Sequence, residues 1–296
     1  MWFKTSAFIT EQMKSNLNHR TFHIKKYYDW LNVNLMTPII IKLWVLYSCM
    51  FAAYLHGCEC WPTIDEVREN VLALERKLLK HILQVKPSTS NAIIYTELGR
   101  CDMMATIKVR QKDFYRKCKK LTEEEAVMRS ILEMCKHLPI VMYYENLKDG
   151  IDVQDQQRMK DEIVSATTTQ LTRYKELTDV ACVDAIYGQF LREDKRIILS
   201  KWRLSSHSLN IEKGRYTSPI TPRQDRTCQA CPTCVEDEHH VLFNCPLYNI
   251  VRVRFRDAFQ RLSTVRLMLN PSNITDASIV GDILLHVEEI RESEDL

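Results

Sequence analysis

The sequence predicts a mainly α-helical protein, in which a helical bundle is followed by a small cysteine-rich module and C-terminal helices. The first observation is composition: only six glycines occur in 296 residues, and 45% of the residues are hydrophobic against 27% charged. Such a balance is typical of a folded protein, and its abundant Leu, Glu, Lys, Arg and Met favour helices. The second observation is that apolar residues recur every three or four positions. The third is that β-branched runs flanked by turn residues are scarce.

The N-terminal part starts with a basic and aromatic segment, residues 1–35, and continues as an apolar helix that begins near Pro38. We expect this helix to be buried rather than to cross a membrane. Lys42 interrupts it, and the apolar residues 43–55 are fewer than the roughly twenty that span a bilayer. Residues 1–7 are followed by a polar stretch, residues 10–20, so no cleavable signal peptide is expected. The protein is therefore expected to be intracellular, nuclear or cytoplasmic, and not secreted.

The middle of the chain is predicted to consist of successive helices. A long amphipathic helix is predicted over residues 65–83, with apolar residues at helical spacing: Val67, Val71, Leu74, Leu78 and Ile82. A strongly basic helix follows around residues 108–120. The next helix is expected to turn Val127, Ile131 and Met134 inward, and further helices are expected around residues 140–147, 154–177 and 180–204.

The organisation of the chain is predicted to change after residue 204. Residues 205–226 are loose in pattern and rich in Ser, Gly, Pro and Thr, and Pro219 and Pro222 exclude a regular helix there. We therefore divide the chain into a helical region over residues 1–204, a metal-binding module with a basic helix over residues 205–270, and an acidic C-terminal helix or tail over residues 271–296.

Eleven cysteines are distributed unevenly along the chain. Seven are scattered and, in a reducing compartment, are expected to be small buried hydrophobic residues: Cys49, Cys58, Cys60, Cys101, Cys118, Cys135 and Cys182. The other four lie close together, between positions 228 and 245, where two histidines are also found.

This cluster has the spacing of a zinc knuckle. Its favoured ligands are Cys228, Cys231, His240 and Cys245, because a Cys-x2-Cys pair supplies two thiolates from one turn and a His and a Cys return to complete a tetrahedron. Cys234 can replace Cys231, and His239 can replace His240, without violating the spacing. Free thiols near an exposed loop are the alternative. Four protein ligands leave no position for water, so a structural Zn2+ without a hydrolytic role is predicted.

Two basic segments are candidates for nucleic-acid binding. The helix after the knuckle carries Arg252, Arg254, Arg256, Arg261 and Arg266, with Asp257 as its acidic residue. The basic run places Lys108, Lys112, Arg116 and Lys119 on one helical side. Such side chains can contact phosphates, and arginine also stacks on bases. A solvated helix face is the alternative in both places.

Two stretches resemble a known family. The first, residues 28–119, contains Trp30-Leu31, Thr37-Pro38, the run from Tyr54 through Cys58 and Cys60 to Trp61, the run from Glu75 to Lys80, and Ser88-Thr89-Ser90-Asn91. The second, residues 204–252, contains Ser206-His207, the run from Ile211 to Tyr216, Val235-Glu236-Asp237-Glu238, His240 and Cys245-Pro246. Together they resemble the C-terminal part of the reverse transcriptases of LINE-type, non-LTR retrotransposons.

The resemblance implies a helical thumb-like element within residues 1–204 and a knuckle that helps to hold RNA or DNA. It does not imply catalysis, because a polymerase palm needs paired aspartates for two metal ions and this sequence contains no Asp-Asp pair. We therefore expect a non-enzymatic, retroelement-derived protein that binds RNA or DNA, with neither a membrane nor a small-molecule substrate as partner. There are two alternatives. The chain associates with itself or with another protein, or it is a piece of a longer RNA-directed DNA polymerase.

Overall fold

The computed structural model describes residues 2–61, 65–136, 139–166, 169–178, 184–188 and 190–294. The α-helices are, in chain order, α1 (Trp2–Val33), α2 (Ile39–Val45), α3 (Phe51–Tyr54), α4 (Asp65–Leu83), α5 (Asn91–Glu97), α6 (Met103–Glu124), α7 (Ala126–Cys135), α8 (Pro139–Glu145), α9 (Ile151–Ser165), α10 (Thr169–Leu177), α11 (Glu193–Arg203), α12 (Asn210–Lys213), α13 (Asn249–Arg254), α14 (Arg256–Arg261), α15 (Val265–Leu269) and α16 (Ile274–Glu294). Across these ranges, β-structure amounts to the isolated bridge between Thr227 and Val235. The prediction of a mainly α-helical fold is confirmed.

Among the described residues, three π-helical turns accompany these helices: Leu46–Met50, Asp184–Gly188 and His240–Asn244. Short 3-10 turns occur at Cys58–Cys60, Arg223–Asp225 and Pro246–Tyr248. The described chain falls into two compact units. Unit 1 comprises Met1–Asn34, Leu43–Leu78 and Gly99–Asp161, and unit 2 comprises Leu35–Lys42, Leu79–Leu98 and Glu162–Leu296. The division at residues 204 and 270 stays a prediction.

Unit 1 is built around α1, α3 and α6. The inner side of α1 buries Leu17, Ile24 and Leu31, which recur every seven residues and so lie on one side of the helix. A second, smaller cluster forms where α6 and α8 meet, between Tyr115 and Tyr144, whose ring centroids are 5.8 Å apart. Burial of these faces stabilises the unit by removing apolar surface from water.

Unit 2 is organised by the packing of α11 against α16. Trp202 of α11 is fully buried, as are Ile283 and Leu284 of α16. Gly281 permits the close approach, because a Cβ atom at this position would lie only 2.5 Å from the Cβ of Lys195. The Lys195 ammonium donates to Asp282 at 2.7 Å.

A buried ion pair connects α11 to two further helices of unit 2, α5 and α10. Arg203 of α11 and Glu97 of α5 are both fully buried, and the Arg203 Nε atom donates to a Glu97 oxygen at 2.6 Å. The Tyr174 hydroxyl of α10 donates to the other oxygen of Glu97 at 2.6 Å. Arg203 also donates to the Asn270 side chain at 2.7 Å. Because each charge is hydrogen-bonded on several sides, the pair is compatible with burial.

Several sequence predictions can now be compared with the structure. Helix α4 has the predicted bounds, Asp65–Leu83. The apolar segment of residues 36–54 is not one buried helix but α2, a π-helical turn and α3. Lys42 is buried, with its ammonium 2.7 Å from Glu193, whereas Trp44 is 62% exposed. No helix among the described residues is both long and apolar enough to cross a membrane.

The inward orientation predicted for the apolar face of α7 is wrong. Val127, Ile131 and Met134 are 70%, 47% and 82% exposed. The helix instead packs through its neighbouring side, with Leu132 and Cys135 against the cluster at Tyr115. Helical periodicity indicates that a face is apolar but not which element covers it, and this face lies uncovered among the described residues.

Among the scattered cysteines that the structure describes, the expected burial holds only for Cys58. Cys49 and Cys60 are exposed, and the remaining described members of the set are half-buried: Cys101, Cys118 and Cys135. Cys182 lies outside the described residues. So does part of the helix expected over residues 180–204, of which α11 forms the C-terminal part.

Candidate metal centre

The first half of the metal-binding loop is folded by backbone hydrogen bonds around the Thr227–Val235 bridge. The Cys228 amide donates to the Cys234 carbonyl at 2.9 Å, which closes the loop at its base. The Cys231 amide donates to the Cys228 carbonyl at 3.2 Å, which forms the tight turn that a Cys-x2-Cys pair requires. Both thiols are thereby directed to the same side of the loop.

The second half of the site is the π-helical turn His240–Asn244. The Cys245 amide donates to the His240 carbonyl at 2.7 Å, so the i to i+5 bond that defines this turn joins the two ligand residues themselves. Asp237 caps its start, since one carboxylate oxygen accepts from the His240 amide at 2.9 Å. At Cys245 the backbone becomes extended, and Pro246 begins the next turn.

These two halves bring Cys228, Cys231, His240 and Cys245 together, with one ligand atom of each within 4.8 Å of all the others. The sulfur atoms of Cys228 and Cys231 lie 3.8 and 3.9 Å from the sulfur of Cys245. Zn–S bonds of about 2.3 Å at tetrahedral angles separate two sulfurs by about 3.8 Å. The Nε2 atom of His240 is buried and has no hydrogen-bond partner in the described part of the chain. The residues therefore fit a metal ion, and this group can hold one.

The two alternative ligands lie outside this group. Cys234 is exposed, and its sulfur contacts the Thr233 hydroxyl at 3.9 Å. His239 is exposed as well, with Nδ1 at 3.3 Å from the Asn244 side-chain amide and its ring packed on Phe243. Both side chains are therefore natural controls for the ligand positions beside them.

Burial controls the protonation of the thiols when no metal is bound. It raises the pKa of the Cys245 thiol to about 12 and also raises the pKa of Cys231. The neighbouring Cys228 thiol adds to both shifts, since two thiolates side by side repel each other, whereas the hydrogen bond with Cys245 lowers the pKa of Cys231. A divalent cation reverses this preference, because it binds the thiolate form and releases the protons.

Buried glutamates hold the segment between the two halves in place. Glu236 accepts from the Asn210 amide at 2.6 Å and is clamped by the guanidinium of Arg291 from α16. Glu238 is paired in the same way with Arg173 of α10, and its other contact is His207 Nε2 at 3.2 Å. Burial alone would raise the pKa of Glu238, but these two partners hold it well below its ordinary range.

Glu236 and Glu238 are among the residues that carry the family resemblance, but the sequence indicates no role for either of them. Their partners are 55 and 65 residues away in sequence, so no local pattern indicates the pairing. The only local signal is the Asp three residues before His240, which has the spacing of an N-cap.

Arg252 of α13 supports the π-helical turn from its C-terminal end. Its Nη2 atom donates to the Cys245 carbonyl, and its Nη1 atom lies 3.3 Å from the Leu242 carbonyl and 3.5 Å from that of Val241. The Val241 and Leu242 carbonyls are among those that a short helical turn leaves without internal partners, whereas the Cys245 carbonyl also accepts from the Tyr248 amide at 3.3 Å. Burial lowers the pKa of Arg252, and the negative charge of a Cys245 thiolate opposes that lowering. Three thiolates and a divalent cation leave one net negative charge, which the guanidinium offsets.

The prediction of one continuous basic helix after the knuckle is wrong. The segment forms three short helices, α13, α14 and α15, separated at Phe255 and at Leu262. Arg254 and Arg256 are exposed, and the Arg254 guanidinium lies 2.6 Å from His286 Nε2. Arg261 is exposed and donates to Asp276 at 2.9 Å.

The second basic segment lies on α6 in unit 1 and is partly neutralised. Lys112 and Arg116 both pair with Asp149, the former at 2.8 Å. Lys119 is exposed, and Lys108 is half-buried beside a cavity of about 330 Å3. Nucleic-acid binding by these residues, and by those after the knuckle, stays a prediction. Searches of protein-family models, of curated proteins and of solved structures find no match to this chain.

Proposed function

We propose that the protein binds nucleic acid through a surface formed by a structural zinc knuckle and the arginines that follow it. The observation that carries this proposal is the convergence of three thiols and an unpartnered histidine nitrogen at tetrahedral spacing, directly before a segment with exposed arginines. Cys3His sites of this kind are typical of structural zinc. The ion fixes a loop that has little apolar core of its own, so metal binding and local folding are coupled.

The choice of zinc follows from the donor set. Three thiolates and one imidazole are soft or borderline ligands in a closed tetrahedron, whereas Mg2+ and Ca2+ prefer oxygen and higher coordination numbers. Because all four positions are filled by protein, the ion organises the loop rather than activating a water molecule. The proposed role is therefore recognition and not hydrolysis.

Arg254 and Arg256 are the proposed phosphate contacts in unit 2. Both are exposed, and each follows the knuckle closely enough to be positioned by it. Arg252 has a different part in the proposal, since its guanidinium is engaged with the carbonyls of the π-helical turn. Lys108, Lys112, Arg116 and Lys119 on α6 are further proposed contacts, of which Lys119 is exposed and takes no part in the Asp149 pairing.

The test is the salt dependence of nucleic-acid binding. Phosphate contacts release counterions, so the slope of log K against log salt falls by about 0.7 to 0.9 for each arginine–phosphate pair that a substitution removes. The double variant Arg254→Gln/Arg256→Gln should therefore have a slope shallower by about 1.4 to 1.8. The matched control is Arg192→Gln/Lys175→Gln, which removes the same charge from exposed positions elsewhere in unit 2. A flat salt response of the unaltered protein, or equally weakened binding in both double variants, would refute the proposal.

The proposal agrees with the resemblance to the C-terminal region of LINE-type reverse transcriptases. In that setting the knuckle would hold template or target beside a polymerase, and the chain itself would not polymerise, because it contains no Asp-Asp pair. If the chain is a piece of a longer polymerase, the proposed surface and its test are unchanged.

A second candidate function is self-association, and the exposed stripe on α7 favours it. Val127, Ile131 and Met134 are spaced four and three residues apart, so they form one continuous apolar face. Ile131→Glu should then lower the mass of the complex observed by sedimentation, whereas Val153→Glu, at an exposed apolar position on α9 outside this stripe, should not. A monomer at all concentrations would exclude this candidate.

A further inference from the structure

The basic and aromatic segment at the N-terminal end of the chain forms one wall of a cleft in unit 1. The cleft has a volume of about 380 Å3 and lies between α1 and the turn that follows α2. It is lined by His23, Lys26, Tyr27, Trp30, Val45 and Met50. Neither the zinc knuckle nor the basic face of α6 uses any of these residues.

The floor of the cleft is an aromatic stack. The rings of Tyr27 and Trp30 have centroids 5.6 Å apart and are inclined by only 20°, so they are stacked with an offset. Tyr27 is buried, whereas Trp30 is half-exposed and forms the outer member. Val45 and Met50 supply an apolar wall. A flat aromatic group is therefore the shape that best continues the stack.

The rim of the cleft is basic. Lys26 and His23 line it. From position 17 to position 34, Asp29 is the sole acidic residue in the sequence. The Lys26 ammonium lies 4.6 Å from the centroid of the Phe22 ring, which holds the charge near the cleft. The complement of this rim is an anion.

We propose that this cleft binds single-stranded nucleic acid, with an unpaired base stacked on Trp30 and its phosphates contacted by Lys26 and His23. A planar base and an anionic backbone match the aromatic floor and the basic rim at once. A duplex is disfavoured because the faces of its bases are covered by their neighbours. This inference rests on the proposed function and adds to it a site for the base, separate from the knuckle.

The first test uses the unaltered full chain and no substitution. Fluorescence anisotropy compares labelled oligo-dT and oligo-U of about twelve nucleotides with an abasic strand of the same length and with a duplex. Stacking of one base corresponds to an affinity gain of about 5- to 150-fold over the abasic strand. Equal affinity for the base-bearing and abasic strands overturns the inference. A preference for oligo-U over oligo-dT, or the reverse, identifies the source of the strand and supports it.

The second test uses matched variants. Trp30→Ala should weaken binding of the base-bearing strand about tenfold and leave the abasic strand unchanged, and Lys26→Gln should weaken both. Trp44→Ala and Lys25→Gln are the controls, because both residues are exposed in unit 1 and neither lines the cleft. Weakening of the same size in the controls overturns the inference.

The outcomes separate this inference from the proposed function. If the protein binds the abasic and base-bearing strands equally, with a steep salt dependence, the cleft is not a base site although the proposed function stands. If it binds no nucleic acid, both fail. If Trp30→Ala instead dissociates a dimer and no strand binds, the occupant is a second copy of this chain and the inference is overturned.

Discussion

Arg252→Ala is expected to weaken zinc binding although Arg252 is not a ligand. The substitution removes the guanidinium that donates to the Cys245 carbonyl and lies 3.3 Å from that of Leu242. Only the contact with the Cys245 carbonyl is short. We therefore count one charge-assisted hydrogen bond, worth about 1.5 to 3 kcal/mol. Partners that orient metal ligands typically contribute 10- to 100-fold in metal affinity, and tenfold corresponds to about 1.4 kcal/mol. The energy of the hydrogen bond and the expected loss of metal affinity therefore agree in size.

The assay is competition for zinc between the full-length protein and a chromogenic chelator. Arg252→Ala should raise the zinc Kd by about 10- to 100-fold. Arg252→Lys should recover part of the affinity, because it keeps the charge but not the planar pair of donors. Arg256→Ala is the control, since Arg256 is exposed and carries the same charge. A zinc Kd for Arg252→Ala within twofold of the unaltered protein (about 0.4 kcal/mol) would refute this account of the residue.

Three further outcomes are expected. Because burial raises the pKa of the Cys245 thiol to about 12, protons compete with zinc, and chelator titrations should give weaker affinity near pH 6 than near pH 8. Glu97→Ala leaves Arg203 buried without its carboxylate and should cost about 3 to 5 kcal/mol in urea unfolding. Gly281→Ala should lower the thermal midpoint through its clash with Lys195, whereas this change ordinarily stabilises a helix.

Each of these outcomes has a result that would contradict it. Zinc affinity that does not change with pH would mean that the thiols do not bind the metal as thiolates. A destabilisation of less than about 1 kcal/mol in Glu97→Ala would mean that water reaches Arg203. A higher thermal midpoint in Gly281→Ala would mean that α11 and α16 can move apart at little cost.

Local patterns account for the parts of the fold that depend on neighbouring residues. The bounds of α4 follow from the apolar spacing that begins at Val67, and the convergence of Cys228 with Cys231 follows from the tight turn that their spacing allows. His240 is the favoured ligand although the spacing permits either histidine, and the structure places His240 in the group and His239 outside it. That choice could not be derived, because adjacent residues differ only in the direction given by the turn.

The remaining features depend on contacts between distant parts of the chain. The five-residue spacing of His240 and Cys245 is accommodated by a π-helical turn, which periodicity does not indicate. The break at Phe255 occurs within a pattern that is helical throughout. The role of Glu236 depends on Arg291, which is far away in sequence. Nothing in the residues around Arg291 distinguishes it from an ordinary solvated charge.

The most direct measurement of the central claim is the zinc content of the purified full-length protein, determined by mass spectrometry of the metal. The account predicts about one equivalent in the unaltered protein and in Cys234→Ser, and almost none in Cys228→Ser or Cys245→Ser. Cys234 is the matched control because it is an exposed thiol of the same loop outside the ligand group. Absence of zinc from the unaltered protein, or its retention in Cys228→Ser, would contradict the account.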